Sequence, residues 1–239
     1  MEGVGYVVLT REATKDASLA RRLERAGVPF RQVPLTEQAP APGRAELSRR
    51  LREGWDWVAV TSPAAARFLL EGWAEAGRPS LRLAAVGRGT ARVLEGAGLE
   101  ATFVSERAYG RALAEALPHP GRVLWPTSTL AGSEFAEILA ARGFEVERLD
   151  VYLTRPRTLD ADERALLEGA AVAALGSPSA VRAWAEASEA RPAAAAIGRV
   201  TGEAARTQGF APVRWPADPG VEGWARVVHD LYFGKGHVP

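Results

Sequence analysis

The chain has 239 residues, 47% hydrophobic and 25% charged, with a formal net charge of +1. That length suits two domains of about 110–120 residues, each able to bury a core, and the near-neutral balance supplies no basic field for nucleic acid or an anionic membrane. Cysteine is absent, which removes disulfides, thiolate catalysis and iron–sulfur clusters. The three histidines, His119, His229 and His237, are too scattered to suggest a metal site or a Ser-His-Asp triad.

In chain order, a short apolar strand over 6–10 is followed by a helix over 17–26, which Gly27 stops, and a strand over 30–35. After a connecting helix over 44–52, a strand over 57–61 runs into Ser62-Pro63-Ala64-Ala65. The serine stands where an N-cap is wanted, and the proline takes the first helical position, where its missing N–H costs nothing. A strand over 83–86 enters Gly87-Arg88-Gly89-Thr90, and a third strand covers 101–104. The same order then returns: strand 122–126, helix 134–142 with Gly143 as its stop, strand 145–153. A connecting helix over 160–167 opens with Asp160 and Glu163 at capping-box spacing. A strand over 172–175 runs into Gly176-Ser177-Pro178-Ser179-Ala180, one over 194–197 into Gly198-Arg199-Val200-Thr201, and a last strand covers 212–215.

Strands alternating with helices of this length predict α/β architecture, with two five-stranded parallel, doubly wound sheets. Periodicity does not say which segments pair. Two continuous domains and two interlocked ones fit equally, and the Pro-rich stretch 34–42 and residues 151–156 are the plausible crossings. No apolar run reaches the roughly 20 residues of a membrane span. Residues 1–6 enter a strand without a basic leader or apolar signal core. A cytoplasmic protein with no membrane or nucleic-acid partner is expected.

Four turns at strand ends point to an acidic ligand. A helix start offers open backbone N–H groups and the positive end of the dipole, and ligands of open α/β sheets bind at the carboxyl ends of strands. Small residues Ala64, Ala65, Ser179 and Ala180 would let a ligand approach the backbone. A nucleotide is disfavoured: Gly87-Arg88-Gly89 lacks the third glycine of the dinucleotide fingerprint, since position 92 is Arg, and no phosphate-loop motif occurs. Gly234-Lys235-Gly236 has no strand before it. Thr90 and Thr201 follow each glycine turn at a spacing that suits a hydroxyl beside N–H groups. Arg11, after the first strand, faces either a ligand carboxylate or its own neighbours Glu12 and Asp16. Tyr152 is either a packed strand tyrosine or a proton donor where no histidine is at hand. Trp57, Trp125, Trp184 and Trp215 read as core.

Several of these segments together resemble the uroporphyrinogen-III synthase family. They are Val60-Thr61-Ser62-Pro63-Ala64-Ala65, Ala85-Val86-Gly87 with Thr90, Asp150-Val151-Tyr152-Leu153-Thr154-Arg155-Pro156, Gly176-Ser177-Pro178-Ser179-Ala180-Val181 and Ile197-Gly198-Arg199-Val200-Thr201, with Thr10-Arg11 matching the family's opening. The resemblance covers most of the chain. It implies two flavodoxin-like domains interlocked through a two-stranded linker: residues 1–35 with 154–239, and an inserted 38–151, with linkers near 34–42 and 151–156. It implies the substrate hydroxymethylbilane, a linear tetrapyrrole polycarboxylate. Loss of water gives an azafulvene cation, attack from the substituted carbon of ring D gives a spiro intermediate, and reclosure with ring D inverted gives uroporphyrinogen III. No metal and no organic cofactor is implied. A monomer is expected, since nothing in the sequence requires more, with transient contact to the enzyme that makes hydroxymethylbilane.

On this resemblance Tyr152 assists departure of the hydroxyl, and Thr90, Ser177 and Thr201 match positions near the substrate. From the turns themselves, Arg11, Ser62, Pro63, Ala64, Ala65, Gly87, Ser179, Ala180, Gly198 and Val200 are expected to line it as well. Leu175-Gly176 stands where the family often has an aromatic and a threonine, which leaves only backbone contacts at Gly176. Spontaneous closure gives the type I isomer, and a 100-fold preference for inversion needs only about 2.7 kcal/mol between transition states. Oriented donors and restricted conformation supply that much. The alternative is a cytoplasmic two-lobed sensor or carrier of an acidic small molecule.

Overall fold

A computed structural model describes residues 5–218 and 220–234; His237, Lys235 and Gly236 lie outside them. The chain begins with β1 (Tyr6–Leu9), α1 (Ala13–Arg25), β2 (Phe30–Gln32), β3 (Thr36–Pro40) and α2 (Arg44–Arg50). It continues through β4 (Trp57–Val60), α3 (Pro63–Glu75), β5 (Leu83–Ala85), α4 (Gly87–Glu95), β6 (Phe103–Val104) and α5 (Gly110–Ala116). Next come β7 (Arg122–Ser128), α6 (Glu134–Ala141), β8 (Glu145–Pro156), α7 (Ala161–Glu168) and β9 (Ala170–Leu175). The last elements are α8 (Pro178–Ala187), β10 (Ala193–Ala196), α9 (Arg199–Thr207), β11 (Val213–Arg214) and α10 (Val221–Tyr232).

Two compact units result, the first from the described parts of 1–37 and 155–239, the second from 38–154. The first holds a five-stranded sheet in the order β11-β10-β9-β1-β2, parallel throughout. Its amino-terminal strands thus lie beside those from the carboxyl-terminal third: β1 pairs with β9 in the register Val7↔Val172. The second holds β3-β8-β7-β4-β5-β6.

That second sheet has six strands where five are expected, and it is mixed. Residues 34–42 read as a proline-rich linker, yet β3 lies along β8. The Arg157 N–H donates to the Leu35 carbonyl (2.9 Å) and the Ala41 N–H to that of Val151 (3.1 Å), so the two strands run antiparallel. The prolines are tolerated because β3 is an edge strand, with Pro40 at its last position. Both β3 and β8 continue across the division between the units.

Local chemistry explains the helix boundaries. Asp160 accepts the Glu163 N–H (2.8 Å) and the Glu163 carboxylate accepts the Asp160 N–H (3.1 Å), closing a capping box on α7. Gly27 and Gly143 take φ of +67° and +83°. The next N–H then returns to the last turn, Val28 to Leu23 and Phe144 to Leu139. α1 starts four residues earlier than the apolar pattern suggests, at Ala13.

Each sheet carries a core on both faces. Strand β4 is buried at every position, as a central parallel strand should be. It sends Val58 and Val60 into a cluster with Leu47, Leu69 and Leu124, and Trp57 and Ala59 into another with Leu113, Trp125 and Phe135. In the first unit Ala173 and Leu175 of β9 meet Trp184 and Phe210, while Val172 and Ala174 meet Leu19, Leu23 and Trp224. Trp57, Trp125 and Trp184 are buried core residues, and Trp215 is partly buried against its cluster. Among the described residues no helix is long and apolar enough to cross a membrane.

Candidate functional site

The four candidate turns stand at the carboxyl ends of strands, β4 and β5 in one unit and β9 and β10 in the other, each feeding directly into a helix. Ser62 and Ser177 are N-caps, with Pro63 and Pro178 opening their helices. The Ser62 Oγ accepts the Ala65 N–H (2.9 Å) and the Ser177 Oγ accepts that of Ala180 (3.2 Å). These two N–H groups, expected to meet a ligand, are therefore occupied within the protein. Since proline has no N–H, each Ser-Pro turn keeps, among the described residues, one open donor in its first turn, Ala64 in α3 and Ser179 in α8. Ser179 adds a hydroxyl, 2.9 Å from the Ser177 Oγ.

The glycine turns offer more. α4 and α9 begin without a side-chain cap. The N–H groups of Gly87, Arg88 and Gly89, and those of Arg199, Val200 and Thr201, have no acceptor among the described residues. Gly198 is the N-cap of α9, and Val200 is exposed beside it. The hydroxyl-bearing side chains contribute less than their spacing suggests, because Thr90 and Thr201 are both buried. Gly87 has φ +65°, and a Cβ there would stand 2.8 Å from that of Ala108. Gly87→Ala should therefore lower stability by about 1–2 kcal/mol, read as a drop in the urea midpoint.

Tyr152 lies near the end of β8, buried, with its ring stacked on Phe68 at 5.3 Å and an interplanar angle of 2°. Its hydroxyl is 3.1 Å from the Ser62 Oγ. The tyrosine is thus a packed strand residue whose hydroxyl joins the first Ser-Pro turn, across 90 residues of sequence. With Ser62 Oγ already accepting from Ala65, its own proton can be donated to the Tyr152 oxygen, which leaves the phenolic proton for another acceptor.

Arg11 follows β1. Its backbone N–H donates to Asp16 Oδ2 (3.1 Å), and its carbonyl accepts from the Gln32 side-chain amide. Its Nε is 3.6 Å from Asp16 Oδ1 without a hydrogen bond. Its guanidinium carbon stands 5.8 Å from the centre of the Trp224 ring. Of its two acidic neighbours Arg11 meets Asp16, while Glu12 pairs with Lys15. Asp16 is fully buried and was missed as a site residue; the only sequence signal was an acid five positions after Arg11.

Burial pushes the Asp16 carboxyl above its ordinary 3.8, opposed by the Arg11 charge and the Gln32 hydrogen bond. A carboxyl raised in the folded state holds its proton more tightly there than in the unfolded chain. Its contribution to stability is then largest at low pH and declines as pH rises from about 4 through the raised folded value. Asp16→Asn should remove this decline, so that the urea midpoint falls less with rising pH than in the parent.

Among the described residues no group of three or more His, Asp or Glu side chains is gathered to hold a metal. A cavity of about 610 Å³ opens beside α4 and β6, lined by Arg88 and Arg92 but also by Glu95 and Glu106.

α/β units that bring open helix-start N–H groups, a hydrogen-bonded tyrosine and a partly exposed guanidinium to the carboxyl ends of their parallel strands define a protein chemically suited to an acidic ligand. The family model of uroporphyrinogen-III synthase HemD matches residues 17–226. The chain is 39% identical over 247 residues to the chloroplastic uroporphyrinogen-III synthase of Oryza sativa subsp. japonica, covering 96% of this chain and 82% of that one. The chain belongs to the uroporphyrinogen-III synthase family. Its fold is similar to that of uroporphyrinogen-III synthetase from Helicobacter pylori 26695, with a TM-score of 0.66 at 19% identity, covering 95% of this chain and 99% of that one. It is also similar to a mutant uroporphyrinogen III synthase of Thermus thermophilus, with a TM-score of 0.56 at 21% identity and coverage of 97% and 100%.

Proposed function

We propose that the chain cyclises hydroxymethylbilane to uroporphyrinogen III and water, with inversion of ring D through a spiro intermediate. Membership of the family supports the reaction. The observation that carries the residue roles is the Tyr152 hydroxyl 3.1 Å from Ser62 Oγ, at the strand ends where open N–H groups gather. Tyr152 gives its proton to the departing hydroxyl of the substrate, and Ser62 stabilises the oxygen left behind by donating to it. Water leaves, and the azafulvene cation is attacked by the substituted carbon of ring D.

The substrate is a polycarboxylate. In the second unit carboxylates are received by the open N–H groups at the Gly87 turn and the single one of Ala64; the first unit offers those at the Gly198 turn and that of Ser179, with Arg11 as a cation. Ala65, Ala180, Thr90 and Thr201 act by shaping these turns, and Pro63 by keeping its turn clear of a further N–H. Val200 lies against the substrate.

The order β2-β1-β9-β10-β11 is that of flavodoxin-type sheets. It supports reading the first unit, 1–35 with 154–239, as a flavodoxin-like domain; the inserted 38–151, whose sheet runs β3-β8-β7-β4-β5-β6, is read so on the family resemblance alone, with linkers near 34–42 and 151–156. The proposal includes a cytoplasmic monomer that meets the hydroxymethylbilane-producing enzyme transiently; the rice relative is chloroplastic by name. The test is kinetic: adding the protein to freshly generated hydroxymethylbilane should accelerate its disappearance in proportion to enzyme concentration. Disappearance at the uncatalysed rate contradicts the reading.

A further inference from the structure

We infer that Asp16 is a positioning residue for substrate, acting through Arg11, and that Gly176 supplies the space in which the Arg11 side chain lies as a carboxylate subsite. The inference rests on the proposed reaction and deepens it. Burying a carboxylate is unfavourable unless the groups around it compensate, and Asp16 is fully buried at the start of α1. The groups that compensate it are chiefly Arg11 and Gln32, the residue that fixes Arg11, with a smaller contribution from the Lys15 charge. Asp16 Oδ2 accepts the Arg11 backbone N–H at 3.1 Å and the Gln32 amide at 3.3 Å. The same Gln32 amide donates to the Arg11 carbonyl. Both backbone groups of Arg11 are thereby tied, one directly to Asp16 and one through its neighbour.

The side chain is then steered across Gly176. A Cβ at that position would lie 2.6 Å from Arg11 Cγ and would collide with Cδ as well. An alanine or larger residue at 176 and Arg11 in its present place exclude each other. This gives a physical reason for the glycine, which reads in sequence as a lost contact: the volume of a side chain at 176 is taken by Arg11.

The guanidinium is left able to bind. Arg44, Arg49, Arg50, Arg111, Arg155 and Arg157 all hydrogen-bond to glutamates. The Arg11 guanidinium makes no hydrogen bond among the described residues, and its acidic neighbour stands at 3.6 Å. The side chain is 27% exposed. It crosses the residue immediately before the Ser177 N-cap, so a cation is placed beside the start of α8, where the Ser179 N–H and hydroxyl are available. A carboxylate accepts from a guanidinium and a helix-start N–H together, each bond charge-assisted. Asp16 itself touches no substrate. Its negative charge and its grip on the Arg11 backbone set where the cation sits.

The test is a double-mutant cycle read in steady-state kinetics, with Tm measured alongside. Arg11→Ala and Asp16→Asn should each raise KM for hydroxymethylbilane on the order of tenfold with kcat little changed. The double variant should be no worse than Arg11→Ala alone, because Asp16 acts through Arg11. Gly176→Ala, which leaves Asp16 in place, should reproduce the KM rise by displacing Arg11, and Arg11→Lys should restore part of the affinity. A folded Asp16→Asn protein with parental KM overturns the inference, as do additive effects in the double variant. Should Asp16→Asn not fold, a parental KM in Gly176→Ala overturns it equally. If the parent protein makes no type III isomer, the proposed reaction fails instead.

Discussion

Tyr152→Phe is expected to lower kcat on the order of 100-fold, with KM within about twofold of the parent. The substitution removes one oxygen and nothing else of size. The ring keeps its stack on Phe68, and Ser62 keeps its cap on the Ala65 N–H. The loss of stability is that of one part-buried hydrogen bond, about 1 kcal/mol, so the variant folds and the kinetic effect is interpretable. The departing hydroxyl is a poor leaving group unless protonated, and Tyr152 is the donor assigned to it. On the proposed reading substrate affinity is shared among many N–H groups and survives. As enzymatic closure slows, spontaneous closure to the type I isomer competes, so the product mixture should shift toward type I. Turnover within twofold of the parent, in a protein of parental circular dichroism, removes Tyr152 from the chemistry.

Trp184→Ala should produce the largest stability loss, about 3–5 kcal/mol. The indole is fully buried and meets the Phe210 ring at 5.9 Å and 72°. Its Nε1–H donates to the Ala190 carbonyl at 2.9 Å, so truncation also removes one of that carbonyl's two donors and leaves it the Arg191 guanidinium at 3.0 Å. A domain is stable by only about 5–15 kcal/mol, so most of the margin of the first unit is at stake. Urea titration followed by far-ultraviolet circular dichroism should show the midpoint displaced strongly downward. A midpoint within about 0.2 M urea of the parent, a change worth only about 0.2–0.6 kcal/mol, contradicts the packing described for this core.

The features legible in the sequence are those governed by neighbours in the chain. Ser62-Pro63 and Ser177-Pro178 read as caps because an N-cap needs only a side-chain oxygen and the following turn. Asp160 with Glu163 read as a capping box for the same reason. The features that escaped depend on residues far apart. Nothing in residues 34–42 reveals a strand, because β3 exists only through its pairing with β8. The hydrogen bond between Tyr152 and Ser62 closes only when β8 and β4 share a sheet.

The four turns read alike in sequence as anion sites, and the structure separates them. In the Ser-Pro turns the serine that marks the turn occupies one donor and the proline removes another. The plainer glycine turns keep all three. Asp16 reads in sequence only as a possible neighbour of Arg11, because the apolar pattern starts α1 after it and gives no sign of its burial. Gly176 read as a departure from the family, since the space it leaves for Arg11 comes from a different strand.

The most direct measurement of the central claim is the isomer composition of uroporphyrinogen formed from freshly generated hydroxymethylbilane, separated chromatographically with and without the protein. The account predicts predominantly type III in its presence and type I in its absence. Type I alone, formed at the uncatalysed rate by folded protein, would contradict it.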